Sequence, residues 1–503
     1  MHPLYTIAQL RAIETAALAM LPSGTLMQRA GAAAAQIAID LLHGQIQHAQ
    51  ILIIAGPGNN GGDALVAATC LADAGAIVSI KLCGDPNQMS VDARQAWQQA
   101  TTKPVRFIDH LTSSNWSLII DGLFGIGLSR PIAGSLAELV DTVNHIDCPR
   151  LSLDIPSGLN ADTGTVIGEA GCAIRATHTV TFIGDKPGLH TAAGRDFAGV
   201  ISIEPLAIDR AFFVPTPFQL GSIDLFAEAL QRRHHDSHKG SYGDVAVLGG
   251  ADGMTGAVLL ASRAALYAGG GRIFSVFVGS VPSHDAMHPE LMCRSAHDFD
   301  FGKAVIVVGP GLGQSDHAVT CLTHALEQPN PLVIDADALN LIAQRPDLHT
   351  SVSSRTSPVV MTPHPLEAAR LLDCSTAEIQ ADRIAAANLL ARRYQATIIL
   401  KGSGTIIAHV DGSTVINPTG NPALATGGSG DVLSGGCGAL LAQGWSAWQA
   451  ALGATWLHGH AADILVATGD GPIGLTASEL PVAIRHALNT LVGAAKFAAP
   501  PQS

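Results

Sequence analysis

The sequence predicts an α/β protein of two domains, a doubly wound parallel sheet followed by a second α/β domain. A length of 503 residues suits two large domains. Hydrophobic residues make up 47% of the chain and charged residues only 14%, against about 25% in an average soluble protein. Such a chain, which also contains 53 glycines, suits parallel sheets whose two faces are both covered by helices.

The first half alternates short apolar runs with helical segments, which is typical of parallel strands joined by helices. A helix is predicted over residues 63–74, directly after the first strand. The predicted strands are residues 51–55, 77–82, 117–121, 151–154, 179–183 and 200–203. In such a sheet the ligand crevice lies at the carboxyl ends of the strands.

A change of composition marks the domain boundary. Residues 211–221 contain two prolines and no charge, and residues 231–240 are polar and rich in histidine. We therefore place the boundary between residues 212 and 238, with domains over residues 1–215 and 225–500. The alternation then restarts, with strands at 244–248, 272–278, 304–308, 332–334, 359–361 and 397–400, and helices at 255–268, 379–394 and after Gly430.

Charge and cysteine usage exclude several classes of function. The net charge is −13 and no basic stripe is present, so a nucleic-acid partner is not expected. The eight cysteines are scattered without a CxxC pair, which argues against structural zinc and for a reducing compartment. Arg11 and Glu14 interrupt the N-terminal segment, which does not read as a signal peptide, and no apolar run is long enough to span a membrane. We expect a cytoplasmic protein.

A glycine-rich turn follows the first strand, in the sequence ILIIAGPGNNGGD over residues 51–63. Gly56, Gly58 and Gly61 match the dinucleotide fingerprint GxGxxG, which alone is a weak signal. A dehydrogenase would need an acidic residue about 20 positions further on, and Asp85 meets that only loosely. A turn that serves packing alone is the other alternative. Three polar side chains in one tight turn favour a binding site instead: Asn59, Asn60 and Asp63.

Two further loops follow strands that end in an aspartate. Asp121 opens DGLFGIGLSRP, and Asp154 opens DIPSGLNADTG. One aspartate at such a position is often a helix cap or a turn former. Because parallel strands end at one edge of the sheet, three polar loops there favour a shared crevice.

These three motifs, together with LMQRAG at 26–31, resemble the YjeF N-terminal domain, the NAD(P)H-hydrate epimerase family, over about residues 6–205. The resemblance implies a Rossmann-like sheet and a potassium ion held by Asn60, Asp121 and Ser157, whose hard oxygen ligands suit such a cation. It also implies that Asp154 faces the reactive ring, and we expect Asp154 to be the acid/base group. Ala64 departs from the family glycine, with a small expected effect. The implied substrate contacts are Asn59, Asn60, Gly61, Gly62, Asp63, Gly125, Ile126, Gly127, Leu128, Ser129, Arg130, Pro131 and Asp154.

The sharpest signal of the second half is NPALATGGSGDVLSGG over residues 421–436. A glycine-rich loop leads into a helix near Gly430, whose amides would form an anion hole. Asp431 lies beside that hole, where it can take a proton from a substrate hydroxyl that attacks phosphorus. Its alternative role is only to stabilise the helix terminus. Three glycines that weaken the helix favour a close approach of backbone to ligand or strand: Gly435, Gly436 and Gly438.

The chain contains no GxxxxGK[ST] loop, so this is not a Walker-type site. The motif resembles the ribokinase-like superfamily. Further motifs in the order HKGSYGDVAVLGG, GMTGA, GPGLG, DADAL, TPHPLE and LKGSGT resemble the ADP/ATP-dependent NAD(P)H-hydrate dehydratase domain, over about residues 230–495.

The resemblance implies that four residues line the hydrated nicotinamide, Ala257, Gly313, His364 and Asp431, with Asp335 and Asn340 as further members. It implies adenine-nucleotide contacts from Lys401, Gly402, Ser403, Gly404, Thr405 and Gly430. Two groups of histidines do not indicate a metal site. His234, His235 and His238 fit an exposed linker, and His458 and His460 face different directions because they are two apart on a predicted helix.

The two resemblances together predict a bifunctional repair enzyme for NADHX and NADPHX, the hydrates of NADH and NADPH that carry a hydroxyl on C6. The first domain would interconvert the R and S epimers, and the second would dehydrate the S epimer with ADP or ATP and Mg²⁺. The fused domain order resembles that of bacterial members, which typically use ADP, so ADP is favoured while ATP stays open. A homo-oligomer is expected, because low charge permits a large assembly. The alternatives are a kinase of a vitamin-like alcohol and a first domain that binds without catalysis.

Overall fold

The computed structural model describes residues 2–111 and 115–494. The chain forms two compact units, residues 3–218 and residues 219 onwards, the second of which also includes His2. The division between Phe218 and Gln219 falls inside the stretch where the composition changes.

The first unit is built on a seven-stranded sheet in the order β4-β3-β2-β5-β6-β7-β8, whose paired strands are all parallel. The elements up to its end are β1 (His2–Pro3), α1 (Ile7–Leu18), α2 (Thr25–Leu41), β2 (Gln50–Ala55), α3 (Asn59–Asp73), β3 (Ile77–Leu82), α4 (Val91–Thr101), β4 (Arg106–Phe107), β5 (Leu118–Gly122), α5 (Ser135–His145), β6 (Arg150–Leu153), β7 (His178–Phe182), α6 (Gly194–Phe197) and β8 (Val200–Glu204). The chain runs outward from β2 to β4 and returns to β5, so the strand order reverses between β2 and β5. Such a switch point is where doubly wound sheets bind ligands.

Strand β2 shows why the first sheet forms where it does. Its residues from Ile51 to Ala55 are buried, as expected for a central parallel strand covered on both faces. Helix α3 begins at Asn59, four residues earlier than predicted, because the polar turn residues already have helical conformation. Strand β4 was not predicted, since its two residues are exposed and carry no apolar pattern.

The second unit is built on the larger sheet, in the order β1-β9-β18-β17-β16-β15-β14-β13-β10-β11-β12. Strands β10 to β16 pair in parallel, and β17 and β18 add an antiparallel hairpin. Its elements are β9 (Phe218–Leu220), β10 (Asp244–Gly249), α7 (Thr255–Tyr267), β11 (Arg272–Phe277), β12 (Met292–Ser295), β13 (Val305–Val308), α8 (Asp316–Glu327), β14 (Leu332–Ile334), α9 (Ala336–Gln344), α10 (Pro346–Ser353), β15 (Val359–Met361), α11 (Pro365–Leu372), α12 (Thr376–Ala381), α13 (Arg383–Tyr394), β16 (Thr397–Leu400), β17 (Ile406–Ala408), β18 (Thr414–Ile416), α14 (Ser429–Ala442), α15 (Ala447–Ala467) and α16 (Leu480–Ala494). The predicted class of two α/β domains is confirmed.

One predicted helix is wrong in its extent. Residues 379–394 form parts of two helices, because Asp382 ends α12 and caps α13. Its carboxylate accepts a hydrogen bond of 2.8 Å from the amide of Ala385. Five short strands of the larger sheet escaped prediction, β1, β9, β12, β17 and β18, each of two to four residues. Within residues 2–111 and 115–494, no helix is long and apolar enough to cross a membrane.

Candidate active sites

A cavity of about 650 Å³ opens at the carboxyl edge of the first sheet. Its walls are the loops after β2, β5 and β6, together with residues of α1 and α2. Ten of the residues predicted to contact substrate line it: Asn59, Asn60, Asp63, Gly125, Ile126, Gly127, Leu128, Ser129, Arg130 and Asp154. The two polar loops and the aspartate after β6 therefore meet in one crevice.

Gly61 and Gly62 were predicted to contact substrate, but in the described structure they lie behind the cavity wall. A Cβ on Gly61 would lie 1.9 Å from the carbonyl oxygen of Gly56. A Cβ on Gly62 would lie 2.5 Å from Cε of Met27. Both glycines therefore allow the turn to fold closely on its surroundings. Pro131 is likewise outside the lining, and a Cβ on Gly168 would meet its ring at 2.3 Å.

Asp121 forms a fully buried hydrogen-bond network at the switch point. Its carboxylate accepts hydrogen bonds from Ser157 Oγ (2.6 Å), Ser157 N (2.9 Å), Ser152 Oγ (2.8 Å) and Leu123 N (3.2 Å). Burial raises the pKa of Asp121, and these donors counteract the rise. The network ties together the loops that follow β5 and β6.

Asn60 is the one predicted ligand with an unsatisfied polar group. Its side chain is 8% exposed, and neither its amide oxygen nor its amide nitrogen has a hydrogen-bond partner among the described residues. A buried amide without partners is costly, so a ligand beside Asn60 is expected on physical grounds.

Asp154 is held by a lysine that sequence reasoning missed. Its backbone has a φ of 66°, which turns the chain sharply after β6. The ammonium of Lys186 lies 2.7 Å from its carboxylate, and the lysine side chain is only 1% exposed. Lys186 also donates to Thr181 Oγ1 and to the carbonyl oxygens of Phe182 and Gly184. This lysine stands 32 positions after Asp154 and belongs to no motif spacing that would have revealed it.

Three more carboxyl groups line the same cavity, those of Glu14, Asp63 and Asp92. Burial and repulsion by Asp154 and Glu14 raise the pKa of Asp63 well above its usual range. Burial and Asp154 also raise the pKa of Glu14, while Arg11 acts to lower it. The cavity thus contains carboxyl groups in opposite electrostatic surroundings.

A second cavity, of about 370 Å³, opens at the carboxyl edge of the parallel strands of the larger sheet. The residues after β14, β15 and β16 meet there with the N-terminus of α14. Its lining includes six residues named from the sequence: Asp335, His364, Lys401, Gly402, Gly430 and Asp431. The first-turn amides of α14 have no partners within the helix and make this end suitable for an anion.

Lys401 is the cation among the carboxylates of this cavity. Its Nζ lies 2.8 Å from Asp335 Oδ1 and 3.9 Å from Glu367 Oε2. Burial alone would lower the pKa of Lys401, but Asp335 and Glu367 outweigh burial and raise it. Burial and the charge of Asp335 raise the pKa of Asp431 to about 7, against the opposing effect of Lys401. A carboxyl group with that pKa is well matched to accept a proton near neutral pH.

His364 caps helix α11. Its Nδ1 accepts hydrogen bonds from the amides of Leu366 (3.1 Å) and Glu367 (3.3 Å), so the neutral ring carries its proton on Nε2. In turn, the carboxylate of Glu367 accepts a hydrogen bond of 2.7 Å from the backbone amide of His364. Burial, aided by Lys401, lowers the pKa of His364, and burial raises that of Glu367 to about 7. Glu367 was part of a quoted motif, but no role was predicted for it.

Several other predicted residues stand outside this lining. The backbone amide of Gly313 donates a hydrogen bond of 2.9 Å to the carboxylate of Asp337. The charge of Asp337 adds to the repulsion that raises the pKa of Asp431. The side-chain oxygen of Asn340 accepts a hydrogen bond of 2.6 Å from Arg370 and does not line the cavity. The described residues predicted here that do not line it are Ala257, Gly313, Asn340, Ser403, Gly404 and Thr405.

The loop after β16 lies on a buried arginine that the sequence did not reveal. Arg383 is 2% exposed and donates 3.3 Å to the carbonyl oxygens of Leu400 and Lys401. Burial lowers its pKa to about 10. Gly402 has a φ of 143°, and a Cβ there would lie 2.5 Å from the guanidinium. Arg383 therefore supports the loop that bears Lys401.

Residues 23–188 match the family described as YjeF-related protein N-terminus, and residues 245–484 match the family described as NAD(P)H-hydrate dehydratase. The bifunctional NAD(P)H-hydrate repair enzyme Nnr of Coxiella burnetii is 38% identical over 420 residues, 80% of this chain and 83% of that protein. The enzyme of the same name from Escherichia coli is 37% identical over 395 residues, 76% and 73% of the two chains. A Bacillus subtilis ADP/ATP-dependent NAD(P)H-hydrate dehydratase structure, 32% identical, covers 54% of this chain and 97% of its own at a TM-score of 0.48. The chain belongs to the family of bifunctional NAD(P)H-hydrate repair enzymes.

Proposed function

We propose that the two cavities are the two active sites of this repair activity. The first unit would interconvert the R and S epimers of NADHX and NADPHX, and the second would dehydrate the S epimer. The observation that carries the assignment of the second site is Asp431. Its carboxyl group, with a pKa of about 7, lies in a cavity formed at the N-terminus of a helix. This arrangement pairs a proton acceptor with an anion-binding helix terminus, as transfer of a phosphoryl group to a hydroxyl requires.

The dehydration would begin when Asp431 takes the proton of the C6 hydroxyl. The hydroxyl oxygen attacks the terminal phosphorus of ADP or ATP, and the bond from that phosphorus to the leaving nucleotide breaks. The ring-nitrogen lone pair then expels the new phosphate from C6. Loss of a proton from C5 restores the reduced nicotinamide. Helix α14 would bind phosphate oxygens through its first amides, and Lys401 would supply a positive charge beside them.

ADP or ATP and Mg²⁺ are the proposed co-substrate and cofactor, with ADP favoured. Mg²⁺ supplies neutralisation of the phosphate charge when it is bound. Among the described residues, no group of three or more His, Cys, Asp or Glu side chains is arranged to hold a metal ion. Nucleotide phosphate oxygens would hold the ion together with carboxylates that line this cavity, such as Asp335 and Glu367. The nucleotide itself would contact Lys401, Gly402, Ser403, Gly404, Thr405 and Gly430, and the nicotinamide Ala257, Gly313, His364 and Asp431.

In the first unit, Asp154 is the proposed acid/base group. Potassium would be held by Asn60, Asp121 and Ser157, and the unpartnered buried oxygen of Asn60 fits such a ligand set. The ion would supply positive charge next to the substrate. Cavity-lining residues from Asn59 to Asp63 and from Gly125 to Arg130 would bind the nucleotide part of the hydrate.

Two broader proposals complete this function. We propose a cytoplasmic location, and the eight cysteines support it because all are free thiols. We also propose a homo-oligomer, which low charge permits. A kinase of a vitamin-like alcohol is not favoured, since it would leave the first unit without a role.

Absorbance in the reduced-nicotinamide band tests the proposal directly. Purified protein is mixed with both hydrate epimers and Mg²⁺, with ADP in one series and ATP in another. We expect full recovery of the band in a nucleotide-dependent reaction. Recovery from the S epimer alone would remove the epimerase assignment. A stable phosphorylated product without recovery would instead support the kinase.

A further inference from the structure

Inversion at C6 by ring opening requires both a proton acceptor and a proton donor, and a single carboxylate does not supply both. The hydrate is a carbinolamine, with the hydroxyl and the ring nitrogen N1 on the same carbon. A base can take the hydroxyl proton, so that C6=O forms while the C6–N1 bond breaks and its electron pair moves to N1. An acid must then protonate N1. Rotation about C5–C6 and reversal of these steps closes the ring on the other face, with no net consumption of any reactant. The reaction needs one proton acceptor and one proton donor in the same cavity.

Asp154 and Asp63, two of the three aspartates that line the first cavity, stand in opposite surroundings. Asp154 is ion-paired with Lys186 at 2.7 Å and also accepts a hydrogen bond from the amide of Phe182 (3.3 Å). Asp63 lines the same cavity from the first turns of α3. Within the described residues, no cationic side chain and no hydrogen-bond donor contacts its carboxyl group. An ammonium in contact favours a carboxylate, whereas burial among other carboxyl groups favours the protonated acid.

Lys186 is rigidly placed for this purpose. Three oxygen atoms besides the carboxylate of Asp154 surround its ammonium, those of Thr181, Phe182 and Gly184. A buried ammonium with this many acceptors has little freedom to move. It therefore fixes the orientation of the Asp154 carboxylate, which the left-handed backbone already directs.

We propose that Asp63 is the proton donor to N1 and Asp154 the proton acceptor from the C6 hydroxyl, with Lys186 as the positioning residue of Asp154. This inference rests on the proposed epimerase function and assigns the division of roles within that site. When the ring closes, the two aspartates exchange roles: Asp63 takes the proton back from N1, and Asp154 returns a proton to the C6 oxygen. Both carboxyl groups then have the protonation states with which they began.

The other charged groups that line the cavity act on this pair in known directions. Glu14 raises the pKa of Asp63 together with burial and Asp154. Asp92 is engaged with Ser23 Oγ (2.6 Å) and with the amide of Gly24 (3.1 Å). Arg11 and Arg130 line the cavity without an ion pair to Asp63 among the described contacts. Glu14 is thus a carboxyl group whose removal should lower the pKa of Asp63 while both aspartates remain in place.

The test follows conversion of the R hydrate of NADH to the S hydrate by the full chain, without nucleotide, across a range of pH. We expect the rate to fall at alkaline pH, where Asp63 loses its proton. Asp63→Asn should lower the maximal rate about 100-fold or more and abolish this alkaline limb, because it removes the donor. Asp154→Asn should lower the rate similarly, because it removes the acceptor. Lys186→Met should also lower the rate, and Lys186→Arg, which keeps a cation beside Asp154, should restore part of the loss.

Glu14→Gln tests the proposed role of Asp63 through a second variant that leaves Asp63 itself in place. Removing the negative charge lowers the pKa of Asp63, so the alkaline limb should move to lower pH. An unchanged rate or an unchanged alkaline limb in Asp63→Asn would overturn the proposal, and so would an unmoved alkaline limb in Glu14→Gln. If the wild-type chain fails to accelerate epimerisation above the spontaneous rate, the proposed epimerase function itself is wrong.

Discussion

Asp431 joins two features that are needed together for dehydration, a place at the N-terminus of α14 and a carboxyl pKa of about 7. Asp431→Asn keeps the size of the side chain and removes the proton acceptor. We expect the rate of S-hydrate dehydration to fall about 100- to 10,000-fold, the usual contribution of general-base catalysis. The measurement is the recovery of reduced-nicotinamide absorbance with ADP and Mg²⁺. Asp298→Asn, an exposed carboxylate of the same unit, is the control and should retain the wild-type rate.

The pH dependence of dehydration follows from the same group. Asp431 acts in its ionised form, so the rate constant should rise with pH through about 7 and at pH 6 fall to about a tenth of its plateau. Asp335→Asn removes a charge that raises the pKa of Asp431, and the limb should move to lower pH. Lys401→Met removes a charge that lowers it, and the limb should move to higher pH. Equal profiles for all three proteins would contradict Asp431 as the base.

Sequence motifs located the residues with distinctive chemistry, and they missed residues whose role depends on folding. Asp431 and His364 were found because each lies in a short and unusual stretch of sequence. Lys186 was missed because its partner is distant in sequence and lies on a neighbouring strand end. A lysine in a turn normally indicates a solvated side chain, and only the fold shows that this one is buried.

At the level of elements, helix α14 is held close to its neighbours by glycines. A Cβ on Gly435 would lie 2.0 Å from the carbonyl oxygen of Ala261 in α7, and one on Gly438 would lie 2.4 Å from Val307 in β13. The expectation of a close approach is therefore met at these two positions. Gly436 differs, because a Cβ there would meet no atom within 4 Å.

Gly435→Ala and Gly436→Ala form a matched pair on this helix. Gly435→Ala forces α14 away from α7 and should destabilise the protein by about 1–3 kcal/mol or more, as overpacking does. Gly436→Ala adds helix propensity without a clash and should stabilise by up to about 1 kcal/mol. The midpoint of thermal unfolding of the full chain measures both. A fall of similar size in the two variants would show that helix α14 does not depend on close packing at Gly435.

Element boundaries were predictable where apolar runs were uninterrupted, as in β14, β15 and β16. They were not predictable where a single polar contact decides the boundary. The break at Asp382 depends on a hydrogen bond to the amide of Ala385, which competes with helix continuation and leaves the apolar periodicity unchanged. The short strand β17 depends on pairing with β16, and β18 on pairing with β17, and the apolar pattern of such short segments does not encode these contacts.

Across the whole molecule, the alternation of strands and helices was sufficient to predict two α/β units, because this pattern permits few other architectures. The order of strands was not predictable in the same way. The strand order depends on contacts between elements that are distant in sequence. The placement of both cavities follows from that order. The loops were found from their motifs, and their convergence became visible only in the fold.

Because each proposed activity belongs to one unit, a single substitution should impair one activity and leave the other intact. Asp154→Asn should recover the reduced-nicotinamide band rapidly from the S hydrate, and from the R hydrate only at the spontaneous rate of epimerisation. Asp431→Asn should recover the band only at its residual rate, about 100- to 10,000-fold lower, yet should still bring the two epimers to equilibrium. Each variant thus serves as the folding control of the other, because the unmutated unit of each chain retains its activity.

An equal mixture of the two variants tests whether the sites must share one chain. The hydrate is a small molecule that can dissociate from one protein and diffuse to another. We therefore expect the mixture to recover the band completely from both epimers, at a rate that increases with protein concentration. Recovery limited to the S epimer would mean that the product of the first site reaches the second only within one chain or one stable assembly. Variants mixed before and after dilution distinguish these cases, since transfer by diffusion depends only on the final concentration of each protein.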